Sequence, residues 1–177
     1  ALESLGIPTL LVVNKVDRLG CDIEGVVRQL REECSPRLLV TQQVERPGTG
    51  QCQILESPGF WEDALAAAAE YDDALAEAFL EDRPVDRDSL LASLRKGVAD
   101  RQVFPLLFAS AKLGRGIPEL LRGITQWLPY APDREAEPLS AVVFQVDHDP
   151  AMGKAAHLRV FAGSLKNRDS IPLPRGE

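Results

Sequence analysis

Two apolar runs that each end in a short polar motif constrain this chain more than any other feature. Residues 7–13 lead into Asn14-Lys15-Val16-Asp17, and residues 104–109 lead into Ser110-Ala111-Lys112. A nearly continuous apolar run of this length reads as a parallel strand covered on both faces. In an open α/β sheet, ligands bind beyond the carboxyl ends of the strands. Both motifs fall at that edge, so the fold class is α/β and the candidate binding residues sit at its rim.

The residue types suit one flat heterocycle, guanine. Guanine presents a ring N–H and an exocyclic amine side by side. An ionised carboxylate only accepts, and it has two oxygens. Asp17 can therefore take both donors at once, with charge assistance. Adenine has no such donor pair and would leave the carboxylate unmatched. Asn14 carries both a donor and an acceptor for the carbonyl edge of the base and the nearby backbone. The stems of Lys15 and Lys112 can cover the two ring faces while their ammonium groups stay in water. Backbone N–H groups of Ser110 and Ala111 can donate to the base carbonyl. A plainer alternative makes the first motif a polar strand-to-helix turn, with Asp17 or Asp22 capping the next helix.

These motifs, with Arg18 next to the first, resemble the base-recognition motifs of translational GTPases. The resemblance continues through Ala141-Val142-Val143-Phe144-Gln145-Val146, Asp149-Pro150, Gly153-Lys154, residues 158–165 and Asp169, which look like the start of the β-barrel that follows the GTPase domain in elongation factor G. The stretch from Trp61 to Phe104 looks closer to the tetracycline-resistance ribosomal protection proteins. The resemblance implies an α/β fold: the carboxyl-terminal half of a P-loop-type GTPase domain with a helical insertion, followed by the first strands of a translation-factor β-barrel. The implied organisation is a partial GTP-binding domain over residues 1–128, with the insertion at about 57–103, a linker over 129–138 and a partial barrel over 139–177. It implies GTP or GDP as ligand at Asn14, Lys15, Asp17, Ser110, Ala111 and Lys112, with magnesium only in a longer parent protein. It implies the ribosome, including its RNA, as partner, and a cytoplasmic setting without membrane attachment. Elongation factor G itself and a non-catalytic G-like adaptor are the alternatives.

One departure is large. A phosphate-binding loop needs Gly-x-x-x-x-Gly-Lys-[Ser/Thr]. Here a glycine directly precedes a lysine only at Gly153-Lys154, where His148 and Ala155 break the pattern. Asp-x-x-Gly occurs at residues 17–20 and 22–25, but after the base motif, where the family's metal and switch motif does not lie. The chain therefore reads as an internal fragment that should not hydrolyse GTP alone, while the parent would be a GTPase.

Charge separates the regions. The net charge is −7. Residues 59–103 hold 11 acidic and 5 basic side chains, and residues 138–177 hold 4 and 5. A nonspecific nucleic-acid binder would show a basic stripe, and none appears. Lys154, Arg159, Lys166 and Arg168 are the candidates for RNA contact, although each reads equally well as a solvated strand or turn residue. The three cysteines, Cys21, Cys34 and Cys52, lack metal-like spacing and read as reduced thiols. No run approaches the length of a membrane span.

The periodicity predicts a helix end at residues 1–5 and a strand at 7–13. Ile23, Val26, Val27, Leu30 and Cys34 fall on one helical face, which makes Cys34 a core residue. Residues 38–44 read as one strand. Residues 61–82 read as one helix with Trp61, Leu65, Ala68, Leu75 and Phe79 near one face, followed by a second with Leu90, Leu94 and Val98. Ile117, Leu120, Leu121, Ile124 and Trp127 define another helix, with Pro118 near its first position. Residues 139–173 alternate as strands, with a polar turn at 166–169.

Overall fold

The computed structural model describes residues 5–130, 133–151 and 153–170. The chain divides into two compact units, residues 1–130 and 131–177. The helix end read at residues 1–5 falls almost wholly outside the described residues, as does most of the last strand read up to 173.

In the first unit, β1 (Leu11–Asn14), β5 (Phe104–Ala109) and β2 (Leu38–Val40) form a parallel sheet in the order β1-β5-β2. The mixed α/β content with a parallel sheet agrees with the expected class. Successive strand residues face opposite sides, and two core clusters follow from that. Val40, Leu106 and Phe108 pack with Ile23, Val27 and Leu30 of α1 (Ile23–Glu33). Leu39 packs on the opposite side with Phe60 and Ala64 of α2 (Phe60–Ala69), Leu75 of α3 (Asp73–Leu80), Leu90, Leu94 and Val98 of α4 (Arg87–Ala99), and Trp127 of α5 (Ile117–Trp127). The result is a layer of helix on each face of the sheet. Gly123 of α5 lies against this sheet too: a Cβ there would meet Leu107 at 3.0 Å.

Several expectations are corrected by local chemistry. The strand predicted at 7–13 begins only at Leu11 and runs to Asn14. The strand predicted at 38–44 breaks at Thr41 into β2 and β3 (Gln42–Glu45), which belong to different sheets. The parallel ladder continues without a strand: the Thr41 N–H donates to the Leu106 carbonyl at 3.1 Å, and the buried Gln42 Oε1 accepts the Phe108 N–H at 2.8 Å. A side-chain amide thus satisfies a backbone donor that burial would otherwise orphan. β3 pairs antiparallel with β4 (Gln53–Glu56), a hairpin without a counterpart in the predicted elements. The helix predicted over 61–82 is two helices, because Asp72 caps α3 by accepting the Leu75 N–H at 3.3 Å. Phe79, read as facing the core, is half exposed. The helices between β4 and β5 share their core with Leu39 and Trp127. Cys34 is exposed. It is the C-cap of α1, one residue past the helix, and so leaves the apolar face.

In the second unit, β6 (Ser140–Asp149) and β7 (Gly153–Ala162) form an antiparallel hairpin. Its register shifts leave Phe144 and Phe161 unpaired in the backbone register, although the Phe144 ring lies 6.2 Å from that of His157. The polar turn at 166–169 is present: the Asp169 Oδ2 accepts the Lys166 N–H at 2.6 Å.

Candidate functional site

Strands β1 and β5 are direct neighbours, with Asn14 opposite Ala109 in the register. The two polar motifs therefore emerge side by side. Lys15 adopts φ +69°, a left-handed conformation uncommon for a residue other than glycine. This turn lets Asn14 Oδ1 accept the Lys15 N–H at 2.7 Å. It also sends Val16 inward, where the side chain is fully buried and the N–H donates to the Ala109 carbonyl at 3.3 Å. Backbone strain of this sort gathers at functional sites.

Two side-chain bonds tie the motifs together. The Ser110 hydroxyl donates to Asp17 Oδ1 at 2.5 Å. The Ala111 N–H donates to Asn14 Oδ1 at 3.0 Å. Ser110 is buried, whereas Asn14, Lys15, Ala111 and Lys112 are exposed and Asp17 is half-buried. The Ser110 hydroxyl holds the Asp17 carboxyl below the usual carboxylate range. Partial desolvation works against that hydroxyl, while the Asp17 backbone amide and the Lys112 ammonium reinforce it. The carboxylate is thus kept ionised and oriented, the state required to accept two donors.

Asp22, not Asp17, caps α1, accepting the Gly25 N–H at 2.9 Å. Asp17 is left to Ser110 and to whatever enters the site. One detail of the expected base contacts changes. The Ser110 N–H donates to the Arg115 carbonyl at 2.9 Å, and its hydroxyl, not its backbone amide, faces Asp17. Asn14 and Lys15 line an adjoining cleft of about 600 Å³ with Arg18, Asp22 and Gly25; Asp17 and Ser110-Ala111-Lys112 are not among its lining residues.

Glycine permits the shape of the second loop. Ser110 caps a single 3-10 turn, Ala111–Leu113, and Gly114 closes it at φ +67°. Gly116 sits at φ +74°, where a Cβ would lie 2.4 Å from the Phe108 carbonyl oxygen. Only glycine fits there. The sequence suggests a flexible turn at Leu113-Gly114-Arg115-Gly116, yet Arg115 pairs its backbone with Ser110. Hairpin β3–β4 backs both loops, and sequence reading missed it; the apolar residues Val44 and Ile54 on either side of Pro47-Gly48 were the available signal.

Among the described residues, no group of three or more His, Cys, Asp or Glu side chains could hold a metal ion. Nor is any helix among them long and apolar enough to cross a membrane.

Residues 1–130 match the elongation factor Tu GTP binding domain. An oxytetracycline resistance protein of Streptomyces rimosus is 34% identical over 98% of this chain and 27% of its own length. Tetracycline resistance protein TetP of Clostridium perfringens is 27% identical over 99% of this chain and 28% of its own. Elongation factor G of Salinibacter ruber is 26% identical over 97% of this chain and 32% of its own. The chain therefore spans between about a quarter and a third of these relatives. A crystal structure of a Thermus thermophilus protein, ttk003000868, superposes with a TM-score of 0.73 at 28% identity, over 94% of this chain and 29% of that one.

Proposed function

Because the chain belongs to the elongation factor Tu GTP-binding-domain family, we propose that it is the guanine-recognising part of a translational GTPase of the tetracycline-resistance, ribosome-protecting type. One observation carries the reading: Asp17 and Asn14 of the first motif are bonded to Ser110 and Ala111 of the second, at the carboxyl edge of neighbouring parallel strands.

The proposed ligand is GTP or GDP. Asp17 accepts from the ring N–H and the exocyclic amine. Asn14 and Ala111 address the carbonyl edge, and the stems of Lys15 and Lys112 cover the ring. The phosphate-cradling motif is not in this sequence; in phosphoryl transfer that loop and the metal supply most of the stabilisation, and the proposed role of this chain is the base contacts alone. The proposed setting is the cytoplasm and the proposed partner the ribosome. The higher identity to the oxytetracycline resistance protein than to elongation factor G favours the resistance subgroup.

The test is Asp17→Asn in the full-length protein that carries this chain. An asparagine amide offers one donor and one acceptor, which matches xanthine and mismatches guanine. An unpaired buried polar group costs roughly 1–3 kcal/mol, so GTP affinity should fall by about 5- to 150-fold while xanthosine triphosphate affinity rises. Titration of both nucleotides against wild type and variant checks this. An unchanged preference order would remove Asp17 from the base site.

A further inference from the structure

Hairpin β3–β4 grips both base loops from behind. At its turn, the Gly48 N–H donates to the Val16 carbonyl at 2.8 Å, between Lys15 and Asp17. Gly48 has φ +76°, and a Cβ there would stand 3.3 Å from the Arg18 carbonyl oxygen. Just before β4, the Cys52 carbonyl accepts a hydrogen bond from the Arg115 guanidinium. Cys52 is fully buried and packs with Val16 and Ile54 in one core cluster. The turn is braced internally, since Thr49 Oγ1 donates to the Arg46 carbonyl at 2.8 Å and accepts the Gln51 N–H at 3.2 Å.

Arg115 connects this brace to the second base loop. Its backbone exchanges two hydrogen bonds with Ser110, one of 2.9 Å and one of 3.1 Å. Ser110 in turn holds Asp17 through its hydroxyl. A continuous path therefore runs from the buried Cys52 carbonyl through Arg115 and Ser110 to the Asp17 carboxylate.

Resting on the base-recognition reading above, we propose that Arg115 is a positioning residue that sets discrimination between guanine and bases lacking its exocyclic amine. The physical reason lies in the number of donors. A carboxylate that meets two donors at once must keep its plane fixed. A carboxylate that meets one donor tolerates rotation. Hypoxanthine keeps the ring N–H and lacks the amine. Loosening the Ser110 loop should therefore harm guanine binding more than hypoxanthine binding. Arginine suits the task because its guanidinium stays charged and reaches a carbonyl with a rigid donor.

The experiment measures GDP and inosine diphosphate affinities in the full-length protein carrying Arg115→Met, Arg115→Lys or Arg115→Gln. Asp17→Asn is titrated beside them with GDP and xanthosine diphosphate. Arg115→Met should weaken GDP about tenfold and inosine diphosphate about twofold, so the ratio falls about fivefold. Lysine can still donate to the Cys52 carbonyl and should restore most of the ratio. Glutamine is too short and should behave as methionine does, which provides a second variant if methionine prevents folding. A role confined to fold stability would lower both affinities equally and leave the ratio alone. An unchanged ratio, with Asp17→Asn still shifting preference to xanthine, overturns the role of Arg115 and leaves the base site standing. Failure of Asp17→Asn to shift preference removes the base site and this proposal with it.

Discussion

Strand β5 reads Phe-Pro-Leu-Leu-Phe-Ala, and β6 begins Ser-Ala-Val-Val-Phe-Gln-Val. Both are rich in the apolar and β-branched or aromatic residues that favour strands. In β5 every residue is buried, with Phe108 only 1% exposed. In β6 no residue is buried, and Phe144 is 67% exposed. The difference lies in neighbours rather than in composition. β5 is central, with β1 and β2 on its edges and helices on both faces of its sheet. Among the described residues, β6 pairs with β7 alone, in a two-stranded sheet. Apolar sequence makes a strand in both places, but burial also needs further layers.

The same contrast holds for two carboxylates. Asp17 is joined to the buried Ser110 hydroxyl at 2.5 Å. Asp147 is joined to His157 at 2.9 Å, with both side chains about half exposed. A surface pair of that sort is worth about 0–1 kcal/mol. The Asp17–Ser110 pair instead sits where two neighbouring strands bring their loops together.

The sharpest way to break the comparison is Phe108→Ala. Removing this buried ring between α1 and the sheet should cost about 3–5 kcal/mol, read as a lowered denaturation midpoint. A loss below about 1 kcal/mol would mean that the centre of the sheet is no better packed than the hairpin.

A smaller effect is expected at Asp17 from Ser110→Ala. The hydroxyl is the largest cause that depresses the Asp17 pKa. The folded value lies below the unfolded one, so the contribution of this carboxylate is fully present above the ordinary carboxylate range and fades as pH falls through the folded value. Without the hydroxyl, the Asp17 pKa should rise toward the model-peptide range, and the acid edge of stability should move up in pH. Carboxyl carbon NMR titration of wild type and variant reads this directly. An unmoved titration would show that the hydroxyl does not hold the carboxylate.

The smallest effect is expected for Phe144→Ala. In this chain, an exposed side chain on a two-stranded sheet should contribute within about 0.5 kcal/mol when truncated. A cost near that of Phe108→Ala would show that the hairpin face is covered and would end the contrast.

Much of the fold was legible because periodic burial leaves a mark on sequence. Leu90, Leu94 and Val98 are buried at their predicted helical spacing, and Ile23, Val27 and Leu30 face the sheet as read. The two motifs were legible too, since each follows an apolar run and carries groups suited to one base. Other features left no local signal. The break at Thr41 depends on Gln42 reaching a Phe108 backbone amide 66 residues away, a contact that no window of sequence contains. Asp72 reads as one more acid in an alanine-rich helix until its side chain is seen to cap α3. Cys34 keeps the helical spacing but falls past the helix end. Sequence by itself thus determined the α/β class, the span of β5 and the polar motif that follows each of two apolar runs, because these follow from local periodicity and residue order. Only the tertiary structure decided that β1 lies against β5, that Ser110 gives its hydroxyl to Asp17 and its amide to Arg115, and that hairpin β3–β4 holds both loops. Those facts rest on contacts between distant parts of the chain, which packing selects and a linear pattern does not record.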